Sequence, residues 1–150
     1  MSKTNAGPYY LNTTAELSTT YNSSYQAKNA IDGYATQPGY LPAWSQFEIE
    51  PYLRIKLRSV RDIWYVSIKY LRHEVSGSYS LKVTYSLTLS EYYILYEESG
   101  KTKTPLSTTF FNVAAPMKAK YFILTYKSDQ GHQVQLSIKE IRLFYYLDMP

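Results

Sequence analysis

From residue 53 onward, apolar and polar positions alternate with a period of two, and stripes at the helical i, i+3, i+4 spacing are scarce. Leu53-Arg54-Ile55-Lys56-Leu57-Arg58 alternates strictly. In the next run Trp64, Val66, Ile68 and Tyr70 share one face, with Tyr65, Ser67 and Lys69 opposite. The longest run sets Leu81, Val83, Tyr85, Leu87 and Leu89 against Lys82, Thr84, Ser86, Thr88 and Ser90, which predicts a strand across 81–90. Further β-rich runs cover 92–96, 108–113, 121–126 and 134–146. Such alternation marks antiparallel sheets with one buried face. The glycines and most prolines fall between the runs, where turn chemistry places them. The pattern predicts an all-β fold, an antiparallel β-sandwich of the jelly-roll kind with about eight strands.

The last run carries a parity slip. Val134, Leu136 and Ile138 share one parity, and Ile141, Leu143 and Tyr145 share the other. A strand that keeps its apolar side inward must absorb an extra residue near Lys139-Glu140, as a β-bulge does, and this would place Glu140 where it could be a ligand. Two short strands with a surface Glu between them are the alternative. The first 50 residues differ: 13–24 is polar, a short helical turn is expected at 25–31, and 33–44 is a loop rich in Pro, Gly and aromatic residues. A loop this long in a compact domain is usually functional.

Composition narrows the function classes. A 150-residue chain fits one domain, expected here as 14–146 with tails at 1–13 and 147–150. With no cysteine, disulfide frameworks, Cys-ligated zinc, iron–sulfur clusters and thiol catalysis are excluded. No apolar run approaches the ~20 residues of a membrane-spanning helix, so no transmembrane segment is expected. The segment 1–8 lacks the apolar core of a secretory signal. The chain is therefore expected to be cytoplasmic if complete, or extracellular or at the cell surface if a module of a larger secreted protein. A net charge of +4 is mild. Arg54, Lys56, Arg58 and Arg61 cluster, but three of them alternate with Leu53, Ile55 and Leu57. That spacing reads as the solvated face of a strand, and no nucleic-acid partner is expected. The two histidines, His73 and His132, stand in no catalytic motif, and no nucleophile–base–orienter set can be named, so no enzyme is expected. Tyrosine is in excess, 18 against 5 Phe and 2 Trp, and its apolar body with a polar tip suits half-buried sheet positions and binding surfaces alike. Trp44 and Trp64 are expected in the core.

The segment Tyr21-Asn22-Ser23-Ser24-Tyr25-Gln26-Ala27-Lys28-Asn29-Ala30-Ile31-Asp32-Gly33, followed by Thr36 and Trp44, resembles the opening of the discoidin domain. That domain is also called the coagulation-factor type C domain, of the galactose-binding-like superfamily. Related family 32 carbohydrate-binding modules open in the same way. The order of the later runs resembles the family too, ending in Ala119-Lys120-Tyr121-Phe122-Ile123-Leu124 and Ile138-Lys139-Glu140-Ile141-Arg142-Leu143. The chain departs from the pattern at Lys56-Leu57-Arg58, at Leu87-Thr88-Leu89-Ser90 and in lacking terminal cysteines.

The resemblance implies a non-catalytic binding module in which three loops, 34–44, 72–79 and 127–133, meet at one end of the sandwich. They supply Tyr34, Tyr40, Arg72, His73, Tyr79, Asp129, Gln130 and His132. Aromatic faces stack on a sugar ring while the polar groups match its hydroxyls, so a carbohydrate is the expected ligand, on a cell-surface or extracellular glycan. A protein-assembly role is the alternative, with phospholipid headgroups ranked below both. The resemblance also implies a structural Ca²⁺ held by the carbonyl of Lys28 and its neighbours, Asp32, the Thr36 hydroxyl and Glu140, oxygen donors of the kind calcium takes. The alternative is that Asp32 caps a turn without metal.

Overall fold

The computed structural model describes residues 2–4, 13–31, 41–71, 78–101 and 106–147. Within these described residues eight strands and one 3₁₀ turn follow in order: β1 (Ser2–Thr4), β2 (Thr14–Leu17), the 3₁₀ turn (Ala27–Ile31), β3 (Ala43–Trp44), β4 (Tyr52–Leu71), β5 (Tyr79–Ser86), β6 (Tyr93–Lys101), β7 (Leu106–Ser128) and β8 (Ser137–Leu147). All strand pairs are antiparallel, in the order β1-β8-β4-β7-β5-β6, with β2 added to β4 and β3 to β8.

Two long strands organise the sandwich. β4 keeps β7 on one edge throughout. On its other edge its first part meets β2, through Leu53 to Lys56, and its second part meets β8, through Ile63 to Leu71. The exchange falls at the register shift between Lys56 and Arg61. One layer therefore contains β2, early β4, late β7, β5 and β6; the other contains β1, β8, late β4 and early β7. Leu53, Ile55, Leu57, Leu81, Val83, Phe122 and Leu124 fill the core from the first layer, and Ile63, Val66, Ile68, Ile138, Ile141 and Leu143 from the second. Each such side chain contributes roughly 1.5–3 kcal/mol by leaving water. Arg54 and Lys56 point outward between them, and Arg54 grips Glu16 across the β2–β4 pair with 2.9 and 3.0 Å contacts.

Several sequence expectations change in detail. The runs 53–58 and 64–70 are one strand, and 108–113 joins 121–126, because bulges absorb the parity changes between them. Trp64 is one such extra residue, standing between Ile63 and Tyr65 where β8 advances only from Tyr145 to Phe144. The strand predicted across 81–90 stops at Ser86; Leu87 and Leu89 lie in the following turn, 50% and 51% exposed. Alternation continues past Ser86, but its pairing with β7 ends at Tyr121, next to the register shift by which β7 passes to the other layer. Within the stretch expected as an N-terminal tail, residues 2–4 form an edge strand on Tyr145–Leu147. Trp44 and Trp64 are half-buried rather than central. Trp44 stacks on Tyr21 at 4.5 Å and meets Tyr25 edge-on at 4.8 Å, a small aromatic box outside the main core.

The slip in β8 is a bulge. Glu140 pairs with Lys69 and Ile138 with the next residue, Tyr70, so Lys139 is the inserted residue. This keeps Ile138 and Ile141 both in the core.

Candidate functional site

The described anchors of the loops converge on one end. β3 pairs Ala43 with Ile138 and Trp44 with Ser137. The chain then stays laced to the β7–β8 connection: Ser45 N–H donates to the Leu136 carbonyl at 2.9 Å, Leu136 N–H to Ser45 Oγ at 2.8 Å, and Glu48 and Val134 exchange two backbone bonds at 2.9 and 2.7 Å. Four residues after Glu48 begins β4, whose last residue, Leu71, again faces Ser137. The first residue of β5, Tyr79, faces the last of β7, Ser128. The exits into 72–77 and 129–136, and the return from 32–40 at residue 41, thus share the end marked by the start of β8.

Two carboxylates clamp this end. Asp129 accepts the Ser78 hydroxyl at 2.7 Å and the Ser80 hydroxyl at 2.5 Å, while its N–H donates to the Ser78 carbonyl at 3.0 Å. These bonds tie the 129–136 connection to the loop that leads into β5. Glu48 Oε2 accepts the hydroxyls of Ser18 and Thr19, both at 2.6 Å, and holds 18–19 to the 45–48 segment. Hydroxyl–carboxylate bonds of this length are charge-assisted and strong for their kind. The turn itself is local chemistry. Ser128 Oγ accepts the Gln130 N–H, and Gly131, at φ +78°, supplies the left-handed residue that a side chain would strain.

Of the residues expected to bind ligand, Asp129, Gln130 and His132 are exposed on this connection. Tyr79 is a correction. It opens β5 rather than ending a loop; its ring is 2% exposed against Tyr126, and its hydroxyl donates to Glu98 at 3.1 Å. The alternation of β5 puts it on the parity of Leu81 and Val83, so it supports the loop from below. Tyr34, Tyr40, Arg72 and His73 lie outside the described residues, as do Asp32 and Thr36 of the expected metal set.

The other two members of that set are described. Lys28 lies in the 3₁₀ turn, which packs against β8. Glu140 is on β8, opposite in parity to Ile141 and Leu143, yet 4% exposed, with Arg142 Nε 3.9 Å from its Oε1. The bulge at Lys139 gives it that position. Among the described residues no three His, Asp or Glu side chains gather as a metal cluster. Sequence reading missed Glu48, Ser78 and Ser80, whose partners lie 29 to 51 positions away. Arg54, on the outer sheet face, has a pKa above its ordinary value, chiefly because Glu16 accepts its hydrogen bonds.

No protein-family profile matches the sequence, and no curated protein is detectably similar to it. Solved structures are similar in fold. The chain superimposes on a fucolectin from the serum of striped bass, Morone saxatilis, with a TM-score of 0.71 at 16% identity, over 95% of this chain and 50% of that one. It thus spans half the length of that lectin. A family 32 carbohydrate-binding module of Clostridium perfringens NanJ, solved with galactose, gives 0.67 at 16% identity over 93% and 98% of the two chains. A mutant lectin binding domain of lectinolysin, complexed with Lewis b, gives 0.67 at 15% over 95% and 98%. The chain shares the β-sandwich fold of these lectin and carbohydrate-binding modules.

Proposed function

We propose that this chain is a non-catalytic module that binds carbohydrate, on a cell-surface or extracellular glycan, at the clamped loop end. The observation that carries the reading is the Asp129 clamp, which joins two of the three loops into one surface where 43–48 is also anchored. The fold adds support, since neighbours that share it are lectins and carbohydrate-binding modules solved with galactose and Lewis b. His132 and Gln130 offer donors and acceptors beside the clamp. Tyr34, Tyr40, Arg72 and His73 are proposed to complete the site with stacking faces and charge, as sugar pockets require. Asp129 already accepts two hydroxyls, so its part is to hold the loops.

A structural Ca²⁺ belongs to the same proposal. The carbonyl of Lys28, Asp32, the Thr36 hydroxyl and Glu140 would hold it, and a buried carboxylate on a bulge beside a packed turn is suitable donor chemistry. The ion would brace the loop that leaves the 3₁₀ turn.

Protein assembly remains the second reading, and one observation favours it. Leu87, Leu89, Tyr93 and Ile94 leave large apolar surface exposed at edge strand β6 and the turn before it. A glycan array separates the two. Binding that disappears in Arg72→Ala, Tyr40→Ala or His132→Ala supports the loop-end site. A blank array, together with a stable protein partner in stoichiometric amount, overturns it.

A further inference from the structure

The outer face of the first layer is unused by the loop end. Its residues come from three strands in register: Thr14 and Glu16 of β2 face Lys56 and Arg54 of β4, and Lys56 faces Tyr121 of β7. Between them opens a cavity of about 270 Å³ lined by Thr14, Glu16, Arg54, Lys56, Leu89 and Tyr121. Tyr121 lies seven residues before the end of β7, roughly 23 Å along the strand from the clamped loops at ~3.3 Å per residue. The two places are separate.

The charge of this cavity is one-sided. The only carboxylate among its described lining residues, Glu16, is engaged with Arg54. Lys56 has no acidic partner within salt-bridge distance among the described residues. Arg58 follows it on the exposed side of the strand, and Lys120 Nζ lies 6.0 Å from the centre of the Tyr121 ring. Tyr121 and Leu89 give an aromatic and an aliphatic wall, and Thr14 a hydroxyl. Further along the same face, Ser80, Lys82, Thr125 and Lys127 line a second cavity of about 220 Å³ with Glu50 and Glu97, a mixture of donors and acceptors. An anion at one end and hydroxyl-matching groups along the rest suit an acidic sugar chain.

We propose that this sheet face is a second binding site, which takes an acidic oligosaccharide with its carboxylate or sulfate at Lys56, beside Arg58, and a sugar ring against Tyr121. A nucleic acid carries a phosphate at every residue and would set some of them against Glu50 and Glu97 farther along the face, whereas a sugar chain with spaced acidic groups would not. The site does not depend on the loop-end reading.

The test is an array holding sulfated, uronic-acid and sialylated oligosaccharides beside their neutral counterparts, with an oligothymidylate of equal charge. The expected result is binding of an acidic member over its neutral counterpart, weaker at high salt as screening requires. Affinity should fall about tenfold in Lys56→Ala, the loss of one charge-assisted contact, and further in Lys56→Ala/Arg58→Ala, with melting temperatures unchanged. His132→Ala should retain it. Absence of any acidic preference, equal binding of oligothymidylate, or loss in His132→Ala but not in Lys56→Ala would each overturn the sheet-face site.

Discussion

The Asp129 clamp can be taken apart one bond at a time. Asp129→Ala removes the acceptor of two hydroxyls, at 2.5 and 2.7 Å, and leaves the backbone bond to Ser78 in place. A buried bond to a charged group contributes about 1.5–3 kcal/mol. Asp129 is exposed, and solvent competition reduces each bond here to about 0.5–1 kcal/mol. The variant should therefore lose about 1–2 kcal/mol, which lowers the melting temperature of a chain this size by roughly 2–8 °C. Ser80→Ala should lose part of the same energy, and the double variant should lose less than the sum. The expected coupling is about 0.5–1 kcal/mol by denaturant titration. If the loop end binds glycan, loosening it adds an ordering cost on binding, and affinity should fall about fivefold. Additivity within ~0.3 kcal/mol, at unchanged glycan affinity, would refute the claim that Asp129 sets the geometry of the site.

Three further outcomes are expected. Phe122→Ala, at a core position 1% exposed and opposite Ile55, should cost about 3–5 kcal/mol in chemical denaturation; a cost under 1 kcal/mol would mean that β4 and β7 do not enclose the core. Deleting Lys139 should leave a chain that still melts cooperatively, because removal of the inserted residue sets Ile138 and Ile141 two positions apart on the inward face of a regular strand. Loss of cooperative melting would contradict the bulge. For the metal, calcium at a hundredfold excess over its dissociation constant should add ~2.7 kcal/mol, read as a higher melting temperature that EDTA reverses and Glu140→Gln abolishes. A melt indifferent to both additions would remove the Lys28, Asp32, Thr36 and Glu140 site.

The layers were legible because a half-buried strand writes its orientation in every second residue. Leu53, Ile55 and Leu57 are buried, and Arg54 and Lys56 face outward, as their alternation required. The bulge at Lys139 was legible for the same reason, since two apolar parities within one strand have few other solutions. The end of β5 was not. Leu87 and Leu89 continue the pattern of Leu81 and Val83, but β5 loses its partner where β7, at the register shift between Tyr121 and Ala119, passes to the other layer. Tyr79 failed similarly, as a tyrosine beside a glycine-containing loop reads as loop until its register with Ser128 is known. The clamps left no local signal, because Ser78 and Ser80 meet an aspartate about fifty positions away.

The basic run makes the same point in the other direction. Arg54, Lys56 and Arg58 read from the sequence as the solvated face of a strand, and they are that. What alternation cannot say is what stands beside such a face. The β2–β4 register puts Glu16 on Arg54 and neutralises it, while the β4–β7 register puts Tyr121, not an acid, opposite Lys56. A shift of two residues in β7 would keep every buried position buried and bring Ile123 or Ala119 to Lys56 instead, with no aromatic wall. The core therefore does not determine this cavity: parity builds the sandwich, whereas the particular register of three strands decides whether its charged face is merely wet or is shaped for a ligand.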